Sequence, residues 1–598
     1  MHSLSELNPP PKRCCVSGGV FVVGVVPCRL TCFTDPDEAV RCLRLLENSV
    51  DRGSTRVLRP LPENGVHTLE LQTVTKGTLP RPAFPLHSEG YAIAVRTEGI
   101  VLTAASALGL YRGCATLAQL LQAASESGTV PCCDIDDLPD RSVRGLMLDV
   151  SRNRIYSLKT LFGVVDGLAR LKMNRLELYF ENVFAYRSHP AVWVNTSPYT
   201  GADMEALSAY AAERHVTLVP NQNTLGHFER WFREDPSLLD LAELPEGGAC
   251  TPWGSVQKEP TGLAAGLPET VAFAQGLLDE LLPHFPTSLL AHIGGDEVFD
   301  LGQGRSRTDD KAGLYLRYMQ AMADTVRKHG KTPVLWADML LRHPDALARA
   351  AEALPDAQWV LWGYEATDPL PAQAEQLRAA GLRFVVAPGS SSWRSFCGRT
   401  DNMVENIRTA AAVDSDGLIL CDWGDAGHWQ PLSITLPSLV LTASLAWNTA
   451  SDTGTDSVGA AVDTLCGLSG AGRILLNLGN TYLTAQAPAG NATRLFQAYN
   501  LPLAQTPDFD RGALNAALSD LLGLLDEAET LGNSLTAREI RFAAMMQILA
   551  VWRALGRSGL RRVRASLAAQ LELLWLERGP RANLDRSLAD FLAPKFSE

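Results

Sequence analysis

Residues 292–297, His292-Ile293-Gly294-Gly295-Asp296-Glu297, hold the two side chains of this sequence best suited to acid–base chemistry. The apolar run Leu289-Leu290-Ala291 precedes them, so the stretch reads as a buried strand whose C-terminal end delivers adjacent carboxylates. Neighbours on a strand point to opposite sides, but a turn at the strand end aims both into one pocket. The two glycines before the acids carry no Cβ and let backbone or ligand approach closely. Like charges this close do not ionise independently, so one of the pair can keep its proton near neutral pH. A held proton beside an anion suits cleavage of a glycosidic bond. One group protonates the leaving oxygen while the other stabilises positive charge developing on the ring. The competing structural reading makes Asp296 a helix N-cap that satisfies free backbone amides.

Such a pair needs a scaffold, and the pattern from residue 143 onward supplies one. Eight short apolar runs occur: Arg144–Val150, Arg175–Phe180, Val216–Val219, Leu289–Ile293, Pro333–Ala337, Trp359–Trp362, Phe384–Ala387 and Leu418–Cys421. Amphipathic stretches of helix length lie between most of them, for example Lys159–Leu171, Asp203–Arg214, Leu267–Leu282 and Leu314–Lys328. This alternation predicts an α/β fold, a (β/α)8 TIM barrel, over residues 141–454. An open doubly wound sheet is the rival, but no GxGxxG follows the first strand. The barrel places chemistry just past the strand C-termini, and polar or aromatic residues fall there at every strand. Asp149 and Arg152 follow strand one, Glu181 strand two, and Asn221 to His227 strand three. Asp338, Tyr364 with Glu365, Ser390 to Trp393, and Asp422 to Asp425 follow strands five to eight.

Residues 1–140 alternate strand-like runs such as Thr68–Leu71 and Tyr91–Val95 with turns, then a helix-like Ser106–Ala123, and read as a small N-terminal α+β domain. Residues 131–142, with Pro131, Pro139 and several aspartates, read as its linker to the barrel. Residues 455–598 read as a helical C-terminal region whose Leu-, Ala- and Met-rich faces dock on the barrel. The 598 residues carry 53 basic and 66 acidic side chains, a net charge of −13 that disfavours a nucleic-acid partner. Twelve cysteines form no CxxC pair or metal-ligand ladder, so free thiols in a cytoplasmic setting are expected. No run reaches the roughly 20 apolar residues of a membrane span.

With barrel and acid pair in view, the sequence resembles glycoside hydrolase family 20, the β-N-acetylhexosaminidases, and most closely their hexosaminidase D-like branch. Arg144-Gly145-Leu146-Met147-Leu148-Asp149 and His292–Glu297 carry the resemblance in the barrel. Ile100–Ala105 with Gly109-Leu110-Tyr111-Arg112-Gly113 resembles the end of the family's accessory domain, and Glu181 with Leu225-Gly226-His227-Phe228 points to the branch. The resemblance implies exo-acting, retaining, substrate-assisted removal of terminal GlcNAc or GalNAc through an oxazolinium intermediate. On it Glu297 matches the general acid/base and Asp296 the carboxylate that orients the acetamido group. Arg144 matches the arginine that grips sugar hydroxyls, His227 the histidine behind the acid, and Glu181 stands near the acid orienting that histidine. Trp336, Trp362 and Trp423, each at or just beyond a strand end, match walls of an acetamido pocket and a stacking face. Where the family places a tyrosine after strand seven, this loop reads Ser390-Ser391-Ser392-Trp393, leaving Tyr364 as the substitute and Trp393 as a further contact.

No cofactor or metal is expected, since Glu297 and the acetamido group would supply acid and nucleophile. Two alternatives stay open: a metal-dependent hydrolase with His292, Asp296 and Glu297 as ligands, and a sugar-binding barrel without catalysis. The expected partner is a carbohydrate ending in an N-acetylhexosamine, with no membrane partner.

Overall fold

The computed structural model describes residues 4, 7–23, 28–46, 55–59, 66–73, 82–501 and 508–593. Its N-terminal part is a seven-stranded sheet of β1 (Arg13–Val22), β2 (Cys28–Phe33), β3 (Thr55–Arg59), β4 (His67–Thr73), β5 (Tyr91–Arg96), β6 (Gly99–Ala104) and β7 (Thr129–Asp137). The order is β1-β7-β5-β6-β4-β2-β3, antiparallel throughout except between β2 and β3. Helix Ala107–Ser127 starts under a Ser106 cap, whose hydroxyl accepts from Gly109 N, and stops at Gly128 in the left-handed conformation. The expected linker is therefore half wrong. Residues 129–137 form β7, an inner strand, with alternating burial that the prolines and aspartates concealed. Pro131 sits opposite Val20, beside a register irregularity between Val16 and Val20, where a missing N–H is tolerated.

Eight parallel strands then close into a barrel: β8 (Val143–Asp149), β9 (Arg175–Phe180), β10 (Thr217–Gln222), β11 (Leu290–His292), β12 (Thr332–Trp336), β13 (Gln358–Trp362), β14 (Arg383–Ala387) and β15 (Gly417–Asp422). β15 pairs with β8, with Gly417 opposite Val143, and this completes the ring. The apolar runs in the sequence correspond to these strands within one to three residues, because strands buried on both faces leave unbroken hydrophobic stretches. A helix at Pro344–Ala353, between β12 and β13, was not legible. Its two fully buried alanines, Ala346 and Ala350, give little periodic signal.

The two parts meet across a buried polar seam. Lys172 Nζ donates to Asp137 Oδ2 at 2.8 Å, and Trp447 Nε1 donates to Asp137 Oδ1 at 2.8 Å. Arg144 belongs to this seam and not to the strand-end site expected for it. It is fully buried at the N-terminal end of β8, pairs with Glu89 of the N-terminal part, donates to the Lys172 carbonyl at 2.9 Å, and lies 5.0 Å over the Trp447 ring. The reason is direction along the strand: Arg144 is at its start, whereas barrel sites form where strands end.

After Trp447 the chain is mostly helical, with long helices at Arg511–Glu529, Leu535–Ala554 and Leu560–Arg578 and a last one at Leu584–Leu592. One short hairpin, β16 (Pro488–Ala489) and β17 (Ala492–Thr493), interrupts it. The helices pack against loops at the C-terminal ends of the barrel strands. Ser587 Oγ donates to the Gly427 carbonyl in the loop after β15, and the Arg578 carbonyl accepts from Ser157 N at 2.8 Å and Thr160 Oγ1 at 2.7 Å. The described cysteines are free thiols, and no described helix is long and apolar enough to cross a membrane.

Candidate active site

β11 stops at His292, and the next residues turn sharply. Gly294 and Gly295 have φ of +69° and +87°, and Glu297 follows at +51°. Neither glycine tolerates a side chain: a Cβ on Gly294 would lie 2.5 Å from Asn223 Oδ1, and one on Gly295 2.9 Å from Tyr315 Oη. The turn brings both acids to the mouth of the barrel, as the glycines imply. No helix starts there, for the next begins at Lys311, so Asp296 is not an N-cap. His227 also sits at φ +60°. Left-handed backbone at two non-glycine residues costs on the order of 1–2 kcal/mol each and is held by the surrounding packing.

Two side chains converge on the pair. Asn223 Nδ2 donates to Asp296 Oδ1 at 2.8 Å, and His227 Nε2 lies 3.2 Å from Asp296 Oδ2 and 3.6 Å from Glu297 Oε2. Burial disfavours charge on all of them, but their partners split the outcome. Against that burial, the Asp296 charge and hydrogen bond push His227 up to about 10. In return His227 and Asn223 hold Asp296 below the usual carboxylate range despite its burial. Burial and the Asp296 charge raise Glu297, with His227 opposing. The surroundings therefore favour the anion at Asp296 and the protonated form at Glu297 more than an ordinary pair of carboxylates would have. Asp338 accepts the Glu297 backbone N–H at 3.0 Å, and burial with the Asp296 charge pushes it up to about 7.

Beside the acids opens a cavity of about 560 Å³ walled by Trp336, Trp362, Tyr364, Trp393 and Trp423. Tyr364 stacks on Trp362 at 5.1 Å and meets Trp393 edge-on at 5.3 Å; Trp336 and Trp423 are 6.2 Å apart. Beneath them Met147, Val334, Val360, Val385 and Ile419 fill the barrel, so the cavity ends blindly. The serines after β14 turn away from it: Ser390 and Ser392 donate to Asp422 Oδ1 at 2.6 and 2.7 Å. Tyr364 is the phenol that faces the pocket, and burial keeps it in its neutral, donating form.

Arg152 and Arg394, not Arg144, are the arginines that line the cavity, and Arg152 is the one beside the acids. It follows β8 by three residues, lies over the Tyr179 and Trp423 rings, and pairs with Asp149 at 3.3 Å and Asp425 at 3.4 Å. Asp149 in turn accepts from the Ser151, Arg152 and Gly424 amides, tying the loops after β8 and β15 together. Glu181 stands behind Arg152 (3.7 Å) and Arg230 (3.2 Å); it adjoins the cavity but makes no hydrogen bond to His227. The partner of His227 is Asp296 itself.

His292, considered above as a metal ligand, is drawn down into the barrel by Glu177 at 2.8 Å and Asn221 at 2.9 Å. The set with ligand atoms within 4.8 Å is instead His227, Asp296 and Glu297. Five pocket residues, Trp253, Asp368, Arg394, Gly490 and Asn491, were not singled out in the sequence, and two of them come from unexpected places. Trp253, in the loop before helix Pro268–Leu281, stands exposed at the mouth, edge-on to Phe299; Asn491 comes from the C-terminal hairpin. Neither follows a barrel strand. Asn223 lay within the segment noted after strand three, but only the fold shows that it holds Asp296.

Comparison with known proteins bears on family and fold. The family model described as "Glycosyl hydrolase family 20, catalytic domain" matches residues 142–435, and that described as "Glycosyl hydrolase family 20, domain 2" matches residues 5–138. A Beta-hexosaminidase of Porphyromonas gingivalis is 29% identical over 299 residues, which are 43% of this chain and 37% of that protein. Hexosaminidase D of Bos taurus is 24% identical over 290 residues, 45% of this chain and 80% of that one. The match thus spans little more than a third of the first relative's length and most of the second's. In fold, the chain is similar to a Flavobacterium johnsoniae chitobiase (TM-score 0.60, 17% identity, covering 99% of this chain and 100% of that). It is also similar to an exo beta-N-acetylglucosaminidase of Vibrio harveyi (TM-score 0.59, 19% identity, 78% of each). The chain belongs to glycosyl hydrolase family 20, with that family's domain 2 preceding its catalytic barrel.

Proposed function

We propose that this protein is an exo-acting, retaining β-N-acetylhexosaminidase that removes terminal GlcNAc or GalNAc by substrate-assisted catalysis. The observation that carries the reading is the placement of the adjacent acids Asp296 and Glu297, 3.2 and 3.6 Å from His227, at the rim of an aromatic pocket, with Asp296 shifted toward its anion and Glu297 toward its protonated form. Glu297 donates its proton to the departing glycosidic oxygen and afterwards takes one from water. Asp296 receives the acetamido N–H and balances the ring's positive charge.

A nucleophile is still required, and the other acids of the pocket are committed elsewhere. Glu365 is gripped by Arg399 at 2.7 and 2.9 Å, Asp368 accepts the Tyr364 and Glu365 amides, and Asp425 pairs with Arg152. The two free acids share His227 and so stand on one side of the pocket, whereas a displacing nucleophile must attack opposite the leaving oxygen. This favours the substrate's own acetamido oxygen, packed among Trp336, Trp362 and Trp423. A blind pocket accepts a chain end, which favours exo action.

A second reading rests on the close approach of His227, Asp296 and Glu297, which could ligate a divalent cation. A protonated His227 has no lone pair to give, so a metal would have to displace its proton.

The test is hydrolysis of 4-nitrophenyl β-N-acetylglucosaminide against the β-glucoside, with and without a chelator. Cleavage of the acetamido sugar alone, unaffected by chelation, is expected. Cleavage of the plain glucoside would demand a protein nucleophile and overturn the mechanism, and loss of activity on chelation would favour the metal.

A further inference from the structure

The C-terminal region contributes to the pocket at one place, the turn Gly490-Asn491 between β16 and β17. This turn is fastened to the barrel at several points. Asn491 N donates to Glu365 Oε1 at 2.9 Å, Thr493 N donates to the Arg394 carbonyl at 3.0 Å, and Arg399, which holds Glu365, also reaches the Ala489 carbonyl at 3.4 Å. Trp393 Nε1 donates to Asn491 Oδ1 at 2.8 Å. An indole N–H only donates, so this bond fixes which end of the amide faces Trp393. The Nδ2 end is then turned away from the indole, and it makes no hydrogen bond to any described residue. Asn491 is half-buried on the pocket wall and has φ +51°, a conformation asparagine tolerates better than most side chains.

We infer that Asn491 is a positioning and specificity residue of the sugar pocket: its Oδ1 sets the Trp393 ring, and its Nδ2 donates to a sugar hydroxyl. The helical C-terminal region thereby completes the site from 98 residues beyond Trp393. This rests on the reading of the cavity as a sugar pocket.

The experiment compares wild type with Asn491→Gly and Asn491→Asp. Glycine removes the side chain without left-handed strain, whereas aspartate keeps an acceptor for Trp393 but no donor. Kinetics on 4-nitrophenyl β-N-acetylglucosaminide and β-N-acetylgalactosaminide are read beside N-acetylglucosamine binding by tryptophan fluorescence and the melting temperature. Asn491→Gly should raise KM and the sugar's Kd about tenfold, change the ratio of the two substrates' kcat/KM at least threefold, and leave kcat within about threefold. Asn491→Asp should fall between it and wild type. Unchanged KM and Kd in Asn491→Gly would overturn the inference, as would a joint fall of kcat and melting temperature with KM unmoved, the mark of a merely structural tie. If the wild type hydrolyses neither substrate, the proposed reaction fails, and the binding measurement still decides the role of Asn491.

Discussion

His227 and Asp296 form an ion pair at 3.2 Å in which each stabilises the charged form of the other against burial. In the proposed mechanism Asp296 acts as an anion and Glu297 as an acid, and the lowered pKa of Asp296 keeps it ionised below the usual carboxylate range. The raised pKa of Glu297 keeps its proton to higher pH than an ordinary glutamate would. The kcat/KM profile should therefore be a bell, with an acidic limb from Asp296 and a basic limb from Glu297. His227→Ala removes the cation that lowers both acids, so both limbs should move up, by about one unit or more for the nearer Asp296. Profiles of the two proteins over pH 3–9 check this, and unmoved limbs would refute the pairing.

Glu297→Gln removes the proton donor while keeping shape. Turnover of substrates with poor leaving groups, such as chito-oligosaccharides, should fall by about 10²–10⁴. Aryl glycosides with acidic phenols, which need little protonation to depart, should lose much less. Equal losses on both would remove Glu297 from the acid role.

The fold was largely legible because barrel strands are buried on both faces and write themselves as continuous apolar runs, while the two glycines marked the turn at the acids. What escaped was three-dimensional in kind. Arg144 and Arg152 lie on the same strand and its following loop, and only the direction of that strand sends one into the domain seam and the other into the pocket. Trp253 and Asn491 enter from loops far from any barrel-strand end. β7 was hidden by Pro131 and its aspartates, whose exposure only the neighbouring strands define.

Asn223 holds Asp296 from the side opposite His227. Asn223→Ala removes a hydrogen bond to a charged group, worth about 1.5–3 kcal/mol, and frees Asp296 to rotate. Because the orientation of Asp296 matters most once charge develops on the ring, kcat should fall roughly 10–100-fold with a smaller change in KM. Steady-state kinetics on the aryl N-acetylglucosaminide test this. A pure KM effect would place Asn223 in ground-state binding.

Arg144 and Arg152 offer a paired contrast. Arg144→Ala leaves Glu89 buried with one cation fewer, since Arg112 at 2.9 Å is its other partner. Breaking a buried pair of this kind costs about 3–5 kcal/mol, so denaturation should shift strongly while KM at a temperature where the variant stays folded is unchanged. Arg152→Ala removes the cation shared by Asp149, Asp425 and Glu181 at the pocket rim. It also deprives the substrate of a planar set of donors, so kcat/KM should drop roughly 10–100-fold, the equivalent of one or two charged hydrogen bonds. Urea denaturation and kinetics on both variants decide the matter. If Arg144→Ala instead raised KM in a stably folded protein, the seam would have to communicate with the pocket along β8, and the assignment of the two arginines would be reversed.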